Sequence, residues 1–374
     1  MKAFEPALMG SLPLPNRFVR SATFEGLANA QGLCSPQLTK LLVRLAAAQV
    51  GLIITGQTAV SEEGRTGVRG LCLWEENHLP ALIDLASQVH AAGGKIMLQL
   101  GHAGIAAEPS RTGRASLAPM IMPNADGSVC RPMSRADIRK ITSSFARSAL
   151  LAKEAGFNGI QLHAAHGYLL SSFLSPHYNQ RRDEYGGTVE NRARLSMEVL
   201  HSVRKAVGDD FPVLARINVN DFLPQGAGVT EMVQTAMMLA SGGVTAIELS
   251  GGTLRSGNLQ PSRRGPISRE NEGYYKEEAR YFRDKIAVPI ILSGGLRSLD
   301  VIEEILQSGL CDFVAMSRPF ICEPELIQRW QQGDTSASMC KSDNLCFRPV
   351  RAGKGLYCLT RVQENKKLSN EPVS

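Results

Sequence analysis

The sequence predicts an α/β fold of the (β/α)8 TIM-barrel type, with an N-terminal hairpin and extended βα loops. Three observations lead there. Eight short apolar runs recur without polar alternation, as suits parallel strands covered on the outside. Helical patterns lie between them. Polar and glycine-rich residues gather just past the C-terminal ends of the runs, the rim where such barrels keep their chemistry.

In chain order, residues 1–15 are apolar but broken by Gly10, Pro13 and Pro15, which predicts a hairpin ahead of the main fold. The eight strands are Phe18–Ala22, Gly51–Thr55, Ile96–Leu100, Gly159–Leu162, Val213–Ile217, Ala246–Leu249, Pro289–Leu292 and Phe313–Met316. Helices are expected over Pro36–Gln49, Leu79–Ala92, Ser134–Ala155, Val189–Val207, Thr230–Ser241, Tyr274–Lys285 and Leu299–Gln307. The clearest is Ser134–Ala155, with Ser134 as N-cap, Asp137 in the first turn and Gly156 as the stop. No linker divides the chain, so 1–335 form one barrel domain and 336–374 a C-terminal extension. A doubly wound sheet would need a dinucleotide fingerprint after the first strand, and none is present.

The net charge of +6 is not gathered into a basic run, which argues against nucleic-acid binding. No apolar stretch is long enough to span a bilayer, and the N-terminus lacks a signal-peptide core. Isolated cysteines such as Cys34, Cys72 and Cys130 suit a reducing cytoplasm. Self-association into a homo-oligomer is compatible with the sequence.

The stretch Gly159–Tyr168 carries the most chemistry. His163, His166 and Tyr168 arrive together where a strand ends. Imidazole N–H groups can hold a developing oxyanion, and a phenol can deliver a proton. A zinc ligand pair or hydrogen-bonded core histidines are the alternatives. On the same rim lie Ser21–Glu25, Gln57, Gln99, Arg216, Ser293-Gly294-Gly295 and Ser317-Arg318. Loops after strands seven and eight commonly bind phosphate through backbone N–H groups, and Arg318 adds a charge. A tight turn is the plain reading of Gly294-Gly295 alone. Arg216 could instead pair with a core carboxylate such as Glu248.

The motifs Asn16–Thr23, Leu98-Gln99-Leu100-Gly101-His102-Ala103-Gly104 and His163–Tyr168 resemble the old yellow enzyme family of FMN-dependent ene-reductases. So do Leu174-Ser175-Pro176, Asn179, Arg181, Asp183–Gly187 and Glu190-Asn191-Arg192. The resemblance runs to about Pro319 and implies a barrel with FMN over its C-terminal mouth. Hydride would come from NADH or NADPH and pass to the activated alkene of an enone or enal. By position, Ala22 and Thr23 would touch the isoalloxazine. Gln57 and Gln99 would meet its pyrimidine edge and Arg216 its N1–C2=O side. Gly294, Gly295, Ser317 and Arg318 would hold the phosphate. His163 and His166 would grip the substrate carbonyl, and Tyr168 would protonate Cα. Phe24 stands where many members carry Cys or Thr, leaving flavin potential and substrate range open.

The charged run Arg181–Arg194 is expected to be a structural salt-bridge network. The long segments Gly104–Arg131 and Thr253–Glu272 are expected to form a substrate lid and a subdomain. In the tail, Cys340, Cys346 and Cys358 resemble the [4Fe–4S] motif of larger relatives, but Asp343 replaces one ligand. A working cluster is therefore not expected, and the tail reads as a remnant ending in a polar, mobile stretch from Gln363 to Ser374. A Schiff-base aldolase would want a lysine on the active rim, and a zinc hydrolase a third ligand such as His102. A flavin-binding storage protein would leave His163, His166 and Tyr168 without a role. A flavin-dependent amine N-demethylase is the nearest rival.

Overall fold

A computed structural model describes residues 1–370 except 108, 110–112 and 125–126. Eight parallel strands close into a barrel: β3 (Phe18–Arg20), β4 (Leu52–Ala59), β5 (Ile96–Gly101), β9 (Ile160–Ala164), β10 (Val213–Asn218), β11 (Ala246–Ser250), β12 (Ile290–Ser293) and β13 (Phe313–Met316). These are the eight runs expected, in the expected circular order. The barrel's inner layer holds Val19, Leu52, Ile54, Met97, Leu214, Ile291 and Phe313. The N-terminal hairpin, β1 (Ala7–Met9) and β2 (Leu12–Leu14), packs Met9, Leu12 and Leu14 into that same cluster. It therefore plugs the barrel floor. Gly10 takes a φ of 61° at its turn, a conformation that favours glycine.

The helices cover the outer faces of the strands. The long helix Arg135–Glu154 begins as expected: Ser134 accepts from the Asp137 N–H, and Asp137 accepts from the Ser134 N–H. Three features depart from the expectation. First, β4 continues past Thr55 to Ala59, through a register shift between Ile54 and Gln57. The bulge lets a polar stretch stay in the ladder and sets Gln57 opposite Gln99. Second, part of the segment Gly104–Arg131 belongs to a three-stranded sheet formed by β6 (Leu117–Ala118), β7 (Met122–Pro123) and β8 (Val129–Pro132). Third, the stretch expected to be mobile is helical, from Leu359 to Asn370; residues 371–374 lie outside the described ones.

The charged loop after β9 is a network, as expected. Arg181 pairs with Asp183 at 2.6 Å and donates to the carbonyls of Pro119 and Met133. Arg192 pairs with Glu231 and donates to the Leu174 carbonyl. Arg181 thus ties the loop to the segment before Ser134, and Arg192, on the helix Val189–Val207, ties it to the helix Val229–Ser241.

Candidate active site

A cavity of about 590 Å³ opens at the C-terminal rim. Ala22, Thr23, Phe24, Gln57, Gln99, His163, His166, Tyr168, Arg216, Gly294, Gly295, Ser317 and Arg318 all line it. The structure thus brings every candidate residue to one place. His102 does not line the cavity. Its Nδ1 accepts from the Gly104 N–H, and burial lowers its pKa to about 4. No group of three ligand side chains among the described residues is arranged to hold a metal ion.

The cavity floor is a buried polar layer centred on Glu248, which is fully buried. Ser21 Oγ donates to Glu248 Oε1 at 2.6 Å, and Gln161 Nε2 donates to Oε2 at 2.7 Å. Gln99 Nε2 in turn donates to Gln161 Oε1 at 2.8 Å. Arg216 Nε lies 3.3 Å from Glu248 Oε1. Arg216 also donates to the Ala22 carbonyl at 3.2 Å and to Ser250 Oγ at 3.3 Å. The arginine therefore pairs with a core carboxylate, the plain reading, and also borders the cavity.

His163 and His166 stand edge to face with ring centroids 5.3 Å apart, and Tyr168 stacks at a tilt 4.7 Å from His163. His166 has a φ of 69°, and its N–H donates to Asn218 Oδ1. Its Nε2 lies 2.8 Å from Ser250 Oγ. His163 Nδ1 is buried and without a partner among the described residues. Burial first, and then the Arg216 charge, hold both imidazoles well below their usual pKa. Burial raises the Tyr168 phenol above its usual pKa despite Arg216. At neutral pH the set is therefore two neutral imidazoles and a protonated phenol.

Unsatisfied groups mark where a partner belongs. Both polar atoms of the Gln57 amide are buried and unpaired among the described residues. Such a donor–acceptor edge matches the alternating acceptors and donor of a flavin's pyrimidine ring. The N–H groups of Gly294 and Gly295 donate to no acceptor among the described residues. Their φ values are 116° and 74°, and a Cβ on either would meet the Tyr274 ring within 3.0 Å. Only glycine fits there, and the exposed N–H pair suits a phosphate. These residues fit FMN. The Thr23 hydroxyl is already engaged, with Ser317 Oγ at 2.6 Å and the Ser21 carbonyl at 3.0 Å.

Two contributors escaped the sequence reading. Arg297 lines the cavity beside Gly295 and donates to the Cys340 carbonyl and Ser342 Oγ. The tail itself is the second. Arg318 Nη1 donates to Asn344 Oδ1 at 2.9 Å and to the Ser342 carbonyl at 3.4 Å. Ser342–Leu345, Phe347, Arg348 and Arg351 complete the cavity wall. The extension is thus a working wall of the barrel's cavity. Asp343 accepts from the Leu345 N–H and the Thr360 hydroxyl. Of the two long segments, Thr253–Glu272 reaches the cavity through Leu254, Gln260–Ser262 and Arg264, whereas no described residue of Gly104–Arg131 does.

A family model described as the NADH:flavin oxidoreductase / NADH oxidase family matches residues 2–336. The 4,4'-dithiodibutanoate disulfide reductase of Rhodococcus erythropolis is 34% identical, over 94% of this chain and 93% of its own length. An NADH oxidase of Thermoanaerobacter brockii is 34% identical over 88% of this chain, which spans only 50% of that relative. Among solved structures, the old yellow enzyme homologue from Zymomonas mobilis superposes with a TM-score of 0.75 at 25% identity. That alignment covers 91% of this chain and 96% of the other.

Proposed function

Since the chain belongs to the NADH:flavin oxidoreductase / NADH oxidase family, an FMN-dependent NAD(P)H oxidoreductase family, we propose that it reduces the activated C=C bond of α,β-unsaturated carbonyl compounds. One observation carries this reading: two neutral imidazoles and a protonated phenol face one cavity beside a buried guanidinium.

FMN, held in this cavity, would supply the two-electron chemistry that links NAD(P)H oxidation to alkene reduction. The chain's own residues do the rest. Gln57 and Gln99 orient the cofactor's pyrimidine edge, with Ala22 and Thr23 alongside. Arg216, fixed by Glu248, opposes negative charge that builds up on that side. The Gly294 and Gly295 N–H groups hold the phosphate, with Ser317 and Arg318 at its flank. His163 and His166 donate to the substrate carbonyl oxygen, and their hydrogen bonds strengthen as that oxygen gains charge. The Tyr168 hydroxyl, with no partner among the described residues, delivers the proton to Cα. Phe24 shapes the substrate side of the cavity.

A second reading follows from the Rhodococcus relative, whose name records reduction of a disulfide, over 94% of this chain. The test is the visible spectrum under anaerobic conditions. A flavin spectrum bleached by NADPH and restored by 2-cyclohexenone supports ene-reduction. Restoration by a disulfide with release of thiol, and none by the enone, selects the second reading.

A further inference from the structure

The cavity carries more positive charge than a phosphate at Gly294–Gly295 requires. Arg297 and Arg318 stand on that side, and both are anchored by the tail. Three further guanidinium groups line the same cavity: Arg264, and Arg348 and Arg351 together on the helix Phe347–Arg351. Both arginines of the helix pair are exposed, and neither side chain has a hydrogen bond or ion pair with any described residue. They sit three residues apart on one helix, a spacing at which like charges repel. The carboxylate that lines the cavity, Asp343, is already committed to Leu345 and Thr360. Among the described residues, no group therefore neutralises the pair.

The helix is firmly seated. Pro349 is buried, and Val350 Cγ1 lies 2.8 Å from where a Cβ on Gly26 would stand. Gly26 follows Phe24, whose ring packs on Gly70 and lines the cavity. The Phe24 loop is itself fixed, because Glu25 pairs with the buried Arg20 at 2.9 Å and accepts from the Gly56 N–H. Two guanidinium groups on one seated helix beside the Phe24 wall, unpaired among the described residues, make a carboxylate fork.

We propose that Arg348 and Arg351 receive a carboxylate at the far end of the reducible substrate, so that the acceptor is an anionic conjugated carbonyl compound. This rests on the ene-reductase reading above. The 2'-phosphate of NADPH offers similar anion chemistry, and the experiment separates the two.

The FMN-loaded protein is assayed with 4-carboxybenzylideneacetone and with its methyl ester, which differ only in charge at the end remote from the enone. The carboxylate is expected to have roughly tenfold higher kcat/KM than the ester at low salt, through KM. The ratio shrinks as ionic strength rises to about 0.5 M. Arg348→Ala with Arg351→Ala brings the ratio to near one, and Arg348→Lys with Arg351→Lys keeps most of it. A ratio unchanged in the alanine double variant overturns the proposal. So does a double variant that keeps the ratio and loses only discrimination between NADPH and NADH in the anaerobic bleaching step. If neither probe is turned over, their dissociation constants are read from the perturbed flavin absorbance. A carboxylate preference there, lost in the alanine double variant, supports the arginine pair while the ene-reductase reading falls. No preference overturns the pair.

Discussion

Glu248→Gln tests whether the buried polar layer holds the site together. The substitution keeps the side chain's shape and removes its charge. It strands Arg216, about one-tenth exposed, beside a neutral amide. The new amide can accept from only one side, so either Ser21 Oγ or Gln161 Nε2 loses its acceptor. Removing one partner of a buried pair typically costs about 3–5 kcal/mol. With an unfolding entropy near 2.1 cal/mol/K per residue, a chain of this length changes by roughly 0.8 kcal/mol per degree. The melting temperature should therefore fall by about 4–6 °C. Scanning calorimetry is the assay. A fall below about 1 °C would show that Glu248 contributes no more than an exposed pair does and refute the argument. Glu248→Leu combined with Arg216→Met supplies the control: a buried pair exchanged for apolar groups should recover much of the loss. A double variant as unstable as the single would assign the loss to packing.

Further outcomes follow from the same geometry. Tyr168→Phe should leave bleaching by NAD(P)H intact and slow reoxidation by 2-cyclohexenone by about 10²–10⁴-fold, read by stopped flow in separate half-reactions. Equal slowing of both halves would place Tyr168 elsewhere. His163→Ala with His166→Ala should cost about 10²–10³-fold in the enone half-reaction and abolish the charge-transfer band of bound phenols. Because burial holds both imidazoles well below 6.5 and Tyr168 above 10, the oxidative half-reaction should be flat from pH 6 to 8. The imidazoles gain protons only as pH falls below their lowered values, and the phenol loses its proton only in strong base. An inflection near 6.5 would show a histidine titrating at its ordinary value. Gly295→Ala puts a methyl 2.7 Å from the Tyr274 ring at a φ of 74°. FMN should then dissociate on gel filtration, where the native chain retains it.

The sequence made the barrel legible because parallel strands covered on both faces read as unbroken apolar runs. That same signal failed at β4, where Gln57 and Thr58 remain in the ladder beyond a bulge that apolar periodicity does not mark. The site was legible because its polar residues follow strand ends directly, as at His163–Tyr168 and Ser293–Gly295. Arg216 was legible as a candidate while its fixing carboxylate stood only as a competing reading. Pairing across neighbouring strands sets Arg216 opposite Glu248, so one contact serves both roles. Asn344 was not legible. It is 26 residues from Arg318, and Ser342 and Asn344 reach it with φ values of 54° and 60°.

The tail shows why a segment that looks degenerate can still be needed. Arg318 and Arg297 stand close enough to the Gly294–Gly295 loop to share one cavity, and two guanidinium groups so placed repel unless they are held. Uncharged oxygens hold them: the Cys340 carbonyl and the Ser342 hydroxyl take Arg297, and the Ser342 carbonyl, Asn344 Oδ1 and the Arg263 carbonyl take Arg318. These acceptors are neutral, so they orient both cations without cancelling the charge that a phosphate requires. A carboxylate in the same position would have made a stable ion pair and a poorer anion site. The one acid in that stretch, Asp343, is turned instead to Leu345 and Thr360, where it fixes the fold of the tail. The tail thus maintains an electrostatic field as well as a wall.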